Sequence, residues 1–114
     1  MGKTLDSLTL GELKEVQRLF NAPVASAQGT SLEIGEAYAI RTVTHYYTGR
    51  ISAITDTDVV LDDAAWIADT GRWAGFVSDP ESANEVEPYP DSCIVFRGGM
   101  IDAVKVPSLP RKQK

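Results

Sequence analysis

A chain of 114 residues, of which 43% are hydrophobic and 24% charged, has the size and composition of one folded domain and not of a disordered segment. Its 16 acidic and 11 basic residues give a formal net charge of -5, which disfavours nonspecific binding to nucleic acid, because such binding depends on Lys and Arg. One cysteine, Cys93, excludes an internal disulfide, and no apolar run has the length of a signal peptide or a membrane span. We therefore expect a soluble protein of a reducing compartment, without cofactor or membrane partner.

The N-terminal region predicts a helix over residues 4–22. Thr9 and Glu12 form a capping-box pattern, and Asn21 and Pro23 supply the end of the helix. Apolar residues recur at helical spacing between these signals, at Leu10, Leu13, Val16, Leu19 and Phe20. Residues 23–35 are small and polar and indicate a connecting loop, so residues 1–36 are taken as helix plus loop.

Residues 37–107 carry the signals of strands. β-Branched and aromatic residues predict a first strand near 37–46 and a strongly bent second strand near 48–55, with Gly49 at the bend. Asp56-Thr57-Asp58 predicts a tight turn before a third strand, from Val59 to Trp66. Two further strands are predicted at Ser92–Phe96 and Met100–Val106.

An insertion of about residues 68–91 precedes the last two strands. It contains a short helix, for which Asp69 or Thr70 is the expected cap, and a Pro-rich surface excursion over residues 78–92. Residues 108–114 follow as a basic tail, which we expect to be mobile. The whole chain is read as one domain.

Two segments in the right order resemble the Sm-like family. Val60-Leu61-Asp62-Asp63-Ala64 matches the end of the family's first motif, and Val95-Phe96-Arg97-Gly98-Gly99-Met100-Ile101 matches the second. The resemblance covers about residues 38–66 and 93–106. It implies a mainly β fold, in which an N-terminal α-helix precedes a five-stranded, strongly bent Sm-like (SH3-like) barrel. It also implies a homo-oligomeric ring, because family members pair the edges of their last two strands between neighbours.

A second resemblance concerns the insertion. The segment Ala64–Trp73, together with Glu85–Asp91, is similar to short uncharacterised proteins encoded in phage and prophage genomes. It implies a virion or accessory role.

The Sm-like resemblance places a candidate ligand site at the turn around Asp56 and Asp58, with Arg97 and Gly98 from the second motif. Tyr46 and Trp73 are the candidate stacking residues. An acid stands where the family carries an Asn that reads a base, and a carboxylate repels phosphate. The alternative for Arg97 is a structural one, in which it pairs with Asp56 or Asp58.

Other chemistry finds little support in the sequence. His45 and Cys93 would form a nucleophilic pair only if the fold brought them together. Five acids could hold a hard cation, but their spacing lacks the EF-hand glycine and final Glu. Turn formation and solvation explain them more simply; they are Asp56, Asp58, Asp62, Asp63 and Asp69.

These observations predict a non-enzymatic, homo-oligomeric structural or interaction protein of phage origin. Its expected partners are itself and other virion or host proteins, and its expected location is the virion or the cytoplasm of a bacterial host. The alternative hypothesis is a ring that binds RNA or a small nucleotide at Asp56, Asp58 and Arg97. A third, a metal-assisted hydrolase, would use the acidic cluster.

Overall fold

The computed structural model describes residues 29–114, of which residues 34–114 form one unit. The predicted helix over residues 4–22 lies outside the described residues. Residues 29–36 form turns and irregular structure, as expected for the end of the connecting loop.

Six antiparallel strands and one short helix make up this unit. The elements are β1 (Ala37–Thr42), β2 (Tyr46–Ile54), β3 (Asp58–Asp69), α1 (Trp73–Ser78), β4 (Glu85–Pro88), β5 (Cys93–Phe96) and β6 (Met100–Lys105). Single turns of 3-10 helix lie at Pro80–Ser82 and at Arg97–Gly99. The mainly β fold is therefore confirmed, with six strands in place of the five predicted. The predicted barrel is wrong for the described chain, because β5 and β6 do not pair with each other and the sheet stays open.

The sheet is open, and the long strand β3 organises it. The order is β4-β3-β2-β1-β6, and β5 lies beside β3 as well. The first half of β3 pairs with β5, from Asp58 opposite Phe96 to Leu61 opposite Cys93. Its second half pairs with β4, from Ala65 to Asp69. β3 can serve two partners because it has 12 residues, twice the length of a common strand.

Gly49 marks the bend that the sequence predicts in β2. The pairing of β2 with β3 shifts between Thr48 and Arg50, and a Cβ atom on Gly49 would lie 2.7 Å from Leu61 Cβ. No side chain fits in that space, so the close approach of the two strands requires glycine at this position.

Buried residues lie on both faces of the strands. One cluster lies between the sheet and the insertion and contains Ala39, Ala65, Ile67, Phe76, Ala83, Val86 and Val106. A second set lies at partner positions of neighbouring strands, such as Ile51 opposite Leu61 and Val59 opposite Val95. The insertion is therefore part of the fold, since Phe76 and Val86 come from it.

The C-terminal segment lies against the insertion, so the prediction of a mobile tail is wrong. The backbone of Lys114 donates to and accepts from Val86, at 3.1 and 3.0 Å. The guanidinium of Arg111 donates to the carbonyls of Ala64 and Tyr89. Pro110 is buried, and Leu109 packs against the first cluster. The segment thus covers the outer edge of β4.

Thr48 is expected to tolerate, and to benefit from, loss of its hydroxyl group. It is fully buried in β2, and its Oγ1 has no hydrogen-bond partner among the described residues. An unpaired buried hydroxyl costs about 1–3 kcal/mol, so Thr48→Val should raise the free energy of unfolding by about 1 kcal/mol. Urea titration should show a higher midpoint at an unchanged slope. A lower midpoint would mean that the hydroxyl binds a buried water.

Candidate functional site

The candidate ligand site lies where the turn between β2 and β3 meets the 3-10 turn Arg97–Gly99. The backbone N–H of Arg97 donates to the carbonyl of Thr57 at 2.8 Å, and its Nη1 donates to the carbonyl of Thr55 at 2.5 Å. The fold therefore brings together Asp56, Asp58, Arg97 and Gly98, the four residues that the Sm-like resemblance places in one site.

Side chains of the turn bond largely with one another. Thr55 Oγ1 accepts from the backbone N–H groups of Thr57 and Asp58, at 3.2 and 3.1 Å. The Asp58 carboxylate accepts from the hydroxyls of Thr55 and Thr57. Arg97 makes no ion pair with Asp56 or Asp58 within residues 29–114. The structural alternative for Arg97 was thus wrong about its partner, because the guanidinium binds backbone carbonyl and not carboxylate.

Tyr46 and Trp73, the candidate stacking residues, lie against each other. Their ring centroids are 5.4 Å apart, and the Arg41 guanidinium lies 5.0 Å from the Trp73 centroid. Arg41 also forms a two-bonded ion pair with Asp102 of β6. Tyr46 begins β2 and the Thr55–Asp58 turn follows the end of β2, so the two are separated by the length of a nine-residue strand. This arrangement does not favour the prediction that one of the two rings stacks on a base held at that turn.

The ion pair of Arg41 with Asp102 predicts a pH dependence of stability. The hydrogen bond from Arg41, and then its charge, lower the pKa of Asp102. The ionised carboxylate therefore stabilises the fold above the pKa of an unfolded Asp, about 3.9, and this stabilisation is lost as the pH falls through the lower folded value. Asp102→Asn should be less stable at pH 7, and its stability should fall less steeply below about pH 4. Thermal unfolding of both proteins between pH 7 and 3 measures the difference in stability and its change with pH. Profiles that run parallel would show that the ion pair does not contribute to the pH dependence of stability.

Three acids of the predicted cation site have other partners in the fold. Asp62 accepts from Ser92 Oγ at 2.6 Å, Asp63 pairs with Arg50, and Asp69 accepts from the backbone N–H of Gly71. No group of three His, Cys, Asp or Glu side chains within residues 29–114 has the arrangement of a metal site.

His45 and Cys93 do not form a nucleophilic pair. His45 stacks on Tyr47, with ring centroids 5.7 Å apart, and its Nδ1 lies 2.7 Å from Thr44 Oγ1. Cys93 is half-buried on β5, and this burial raises the pKa of its thiol. A raised pKa leaves less of the thiol as thiolate, the form that a nucleophilic pair requires.

A cleft that the sequence does not predict lies beside the turn between β1 and β2. It has a volume of about 330 Å³ and is lined by residues 41–46, by the end of β3 and by Ile101 of β6. Trp66 and Tyr46 are partly exposed in its wall, and the His45 ring lies 5.5 Å from that of Trp66. The exposed apolar residues Val43 and Ile101 complete it.

The last two strands each keep one edge unpaired. β5 pairs with β3 alone and β6 with β1 alone among the described strands. They carry large apolar side chains at exposed positions, namely Ile94 (56% exposed), Phe96 (67%), Ile101 (62%) and Val104 (39%). Unpaired edges of this kind favour pairing with another chain.

Comparison of this chain with models of protein families, with curated proteins and with solved structures finds no match. Within residues 29–114, no helix has the length and apolar character needed to cross a bilayer.

Proposed function

We propose that this protein is the subunit of a homo-oligomeric Sm-like ring and acts as a structural or interaction protein. The observation that carries the proposal is the contrast between the edges of its sheet. The chain covers the outer edge of β4 with its own C-terminal segment, whereas the edges of β5 and β6 remain unpaired and display apolar side chains. Since proteins normally protect an exposed edge, the two open edges favour a role in assembly.

The two open edges belong to different strands, and this limits the kinds of assembly that they can form. When β5 of one copy pairs with β6 of the next, the contact uses different surfaces on the two subunits and repeats head to tail. Such a contact gives a closed ring or an open filament, and a ring leaves no edge exposed. The Sm-like resemblance favours the ring.

The fold supports the Sm-like assignment in two respects. Without β4, the strand order is β6-β1-β2-β3-β5, so the last two strands flank the sheet on either side, as pairing between neighbours requires. The bend at Gly49 and the 3-10 turn at Arg97–Gly99 lie at the positions of the two motifs. The added α1 and β4 are the insertion that the simplest members of the family lack.

The native mass of the purified protein tests the ring. We expect one closed oligomer with a single stoichiometry, and a monomer at micromolar concentration would overturn the proposal. Ile94→Asp should dissociate the oligomer without unfolding the subunit, because its side chain is exposed. Ile34→Asp is the matched control, since Ile34 is 49% exposed but precedes β1, and it should keep the wild-type mass.

An alternative function is favoured by the gathering of Asp56, Asp58, Arg97 and Gly98 at one turn. In this alternative the ring binds RNA or a small nucleotide there, with Arg97 as the cation. Arg97→Ala should then abolish binding of an oligonucleotide or nucleotide while the native mass stays unchanged. Absence of binding to the wild-type protein would reject the alternative.

The resemblance of the insertion to phage-encoded proteins supports a virion or accessory role in the infected bacterial cell. A structural role requires contact with other virion or host proteins, for which the solvent-exposed surface of the insertion is available. Co-purification of the tagged protein with particles, compared with cell extract, distinguishes a virion component from an accessory protein of the cytoplasm.

A further inference from the structure

Phe96 and the cleft beside the β1–β2 turn are complementary features of β5 and β6, the two strands that keep an open edge. Phe96 is the most exposed apolar side chain of β5 and β6, and it lies at the end of β5. The cleft includes Ile101, which lies on β6. One open edge thus presents a projecting aromatic ring, and the other presents an apolar recess.

The chemistry of the cleft suits an aromatic ring. Its volume of about 330 Å³ is at the lower end of the range for ligand pockets. The partly exposed rings of Tyr46 and Trp66, with His45 between strands, offer edge and face contacts. Val43 and Ile101 supply aliphatic contact on the solvent side.

The pairing of β5 with β6 of a second copy brings the two features together in one register. Every strand pair of this sheet is antiparallel, so we take the same orientation between copies. Ile101 is the residue of β6 that lines the cleft, and it lies at the register shift between Arg41 and Thr42. Phe96 is therefore nearest the cleft when it lies opposite Ile101 of the next copy. The same register places Cys93 opposite Val104.

The alternation of side chains between the two faces of a strand restricts this register. It places Ser92 opposite Lys105 of the next copy. A shift by one residue would turn Phe96 to the other face of the sheet, away from the cleft.

We propose that subunits of this protein join by inserting Phe96 of β5 into the cleft of the next copy, with Phe96 opposite Ile101 and Cys93 opposite Val104. This inference rests on the proposed ring and specifies the residues and the register of its interface. Each contact uses the ring of one copy and the recess of the next, so it leaves the other edge of each copy ready for a further copy.

Disulfide trapping tests the register, using the single native cysteine. Directly opposed residues of antiparallel strands have Cα atoms about 4.5–5.5 Å apart, within the range of a disulfide. Val104→Cys should therefore give, on mild oxidation, a ladder of covalent oligomers through Cys93 of each neighbour. Cys93→Ser with Val104→Cys is the control and should give none.

Two neighbouring variants separate this register from its alternatives. A ladder with Ala103→Cys or Lys105→Cys in place of Val104→Cys would overturn the register while the ring stands. A native mass of ring size with no ladder from any of the three would also overturn it. A wild-type protein that is monomeric would instead overturn the ring itself, and the inference with it.

Substitution of Phe96 tests the insertion. Phe96→Lys should dissociate the oligomer and leave the circular dichroism of the subunit unchanged. Phe96→Leu should still form the oligomer, but at a higher protein concentration than the wild-type protein requires. Trp66→Ala, in the cleft wall, should weaken assembly in the same direction. An oligomer that survives Phe96→Lys at wild-type concentration would overturn the insertion and leave the ring proposal in place.

Discussion

Replacement of Gly49 by alanine should lower the free energy of unfolding by about 3 kcal/mol, the upper end of the usual cost of overpacking. The new Cβ would lie 2.7 Å from Leu61 Cβ and 3.1 Å from Leu61 Cδ1. Leu61 is fully buried in β3, and its Cβ belongs to the rigid base of the side chain. The strands must therefore separate at the bend, which disturbs the packing of Ile51 as well. Urea unfolding followed by tryptophan fluorescence measures the loss.

Gly75→Ala is the matched control for this experiment. Gly75 lies in α1, and a Cβ on it would have no atom within 4 Å. Alanine is favoured over glycine in a helix by about 0.5–1 kcal/mol, so this variant should be slightly more stable than wild type. Equal losses in the two variants would show that the cost at Gly49 does not come from the contact with Leu61.

Removal of residues 107–114 should destabilise the fold by about 3 kcal/mol or more. Burial of Pro110 and partial burial of Leu109 each contribute about 1–2 kcal/mol, and each lost hydrogen bond adds about 1 kcal/mol. The deletion also uncovers the outer edge of β4, so the truncated protein should aggregate on heating. Differential scanning calorimetry, with light scattering, measures both effects.

The loss should come from specific contacts and not from the positive charge of this segment. Lys112→Ala with Gln113→Ala removes two exposed side chains and should change stability by no more than about 0.5 kcal/mol. Arg111→Ala should reproduce part of the loss, because its guanidinium binds the carbonyls of Ala64 and Tyr89. Wild-type stability of the truncated protein would contradict a structural role for the segment.

The strands were predictable from the sequence because their signal is local. Runs of β-branched and aromatic residues predict β1, β2, β3, β5 and β6 to within a few residues at their ends. Gly49 was identified as the bend, since glycine has few other uses inside such a run. The short helix at Trp73–Ser78 is confirmed, but Asp69 and Thr70 do not cap it, because its cap position is Arg72.

The parts that could not be predicted depend on contacts between distant residues. β4 consists of Glu, Val, Glu and Pro, a composition with little β propensity, and it forms because β3 and Lys114 lie on either side of it. The docking of Arg111 joins residues 47 positions apart. Nothing in the basic and Pro-rich C-terminal sequence indicates these partners.

In the candidate sites, too, some features were predictable and others depend on contacts between distant residues. The meeting of Asp56, Asp58, Arg97 and Gly98 was implied by the Sm-like resemblance. The cleft combines the β1–β2 turn with Trp66 and Ile101, which only the strand register brings together. The pairing of Tyr46 with Trp73 depends on the position of α1 over the sheet, which the sequence did not indicate.

The position of β6 beside β1 has a consequence for synthesis of the protein on the ribosome. Arg41 meets its partner Asp102 only after 61 further residues have been added, which takes about 3–12 s at about 5–20 residues per second. During that interval β1 can pair with β2, but its other side lacks the partner that it has among the described strands, β6. A chaperone or a neighbouring nascent chain therefore has several seconds in which to bind this side of β1, and slower translation of residues 70–100 should lower the yield of folded protein.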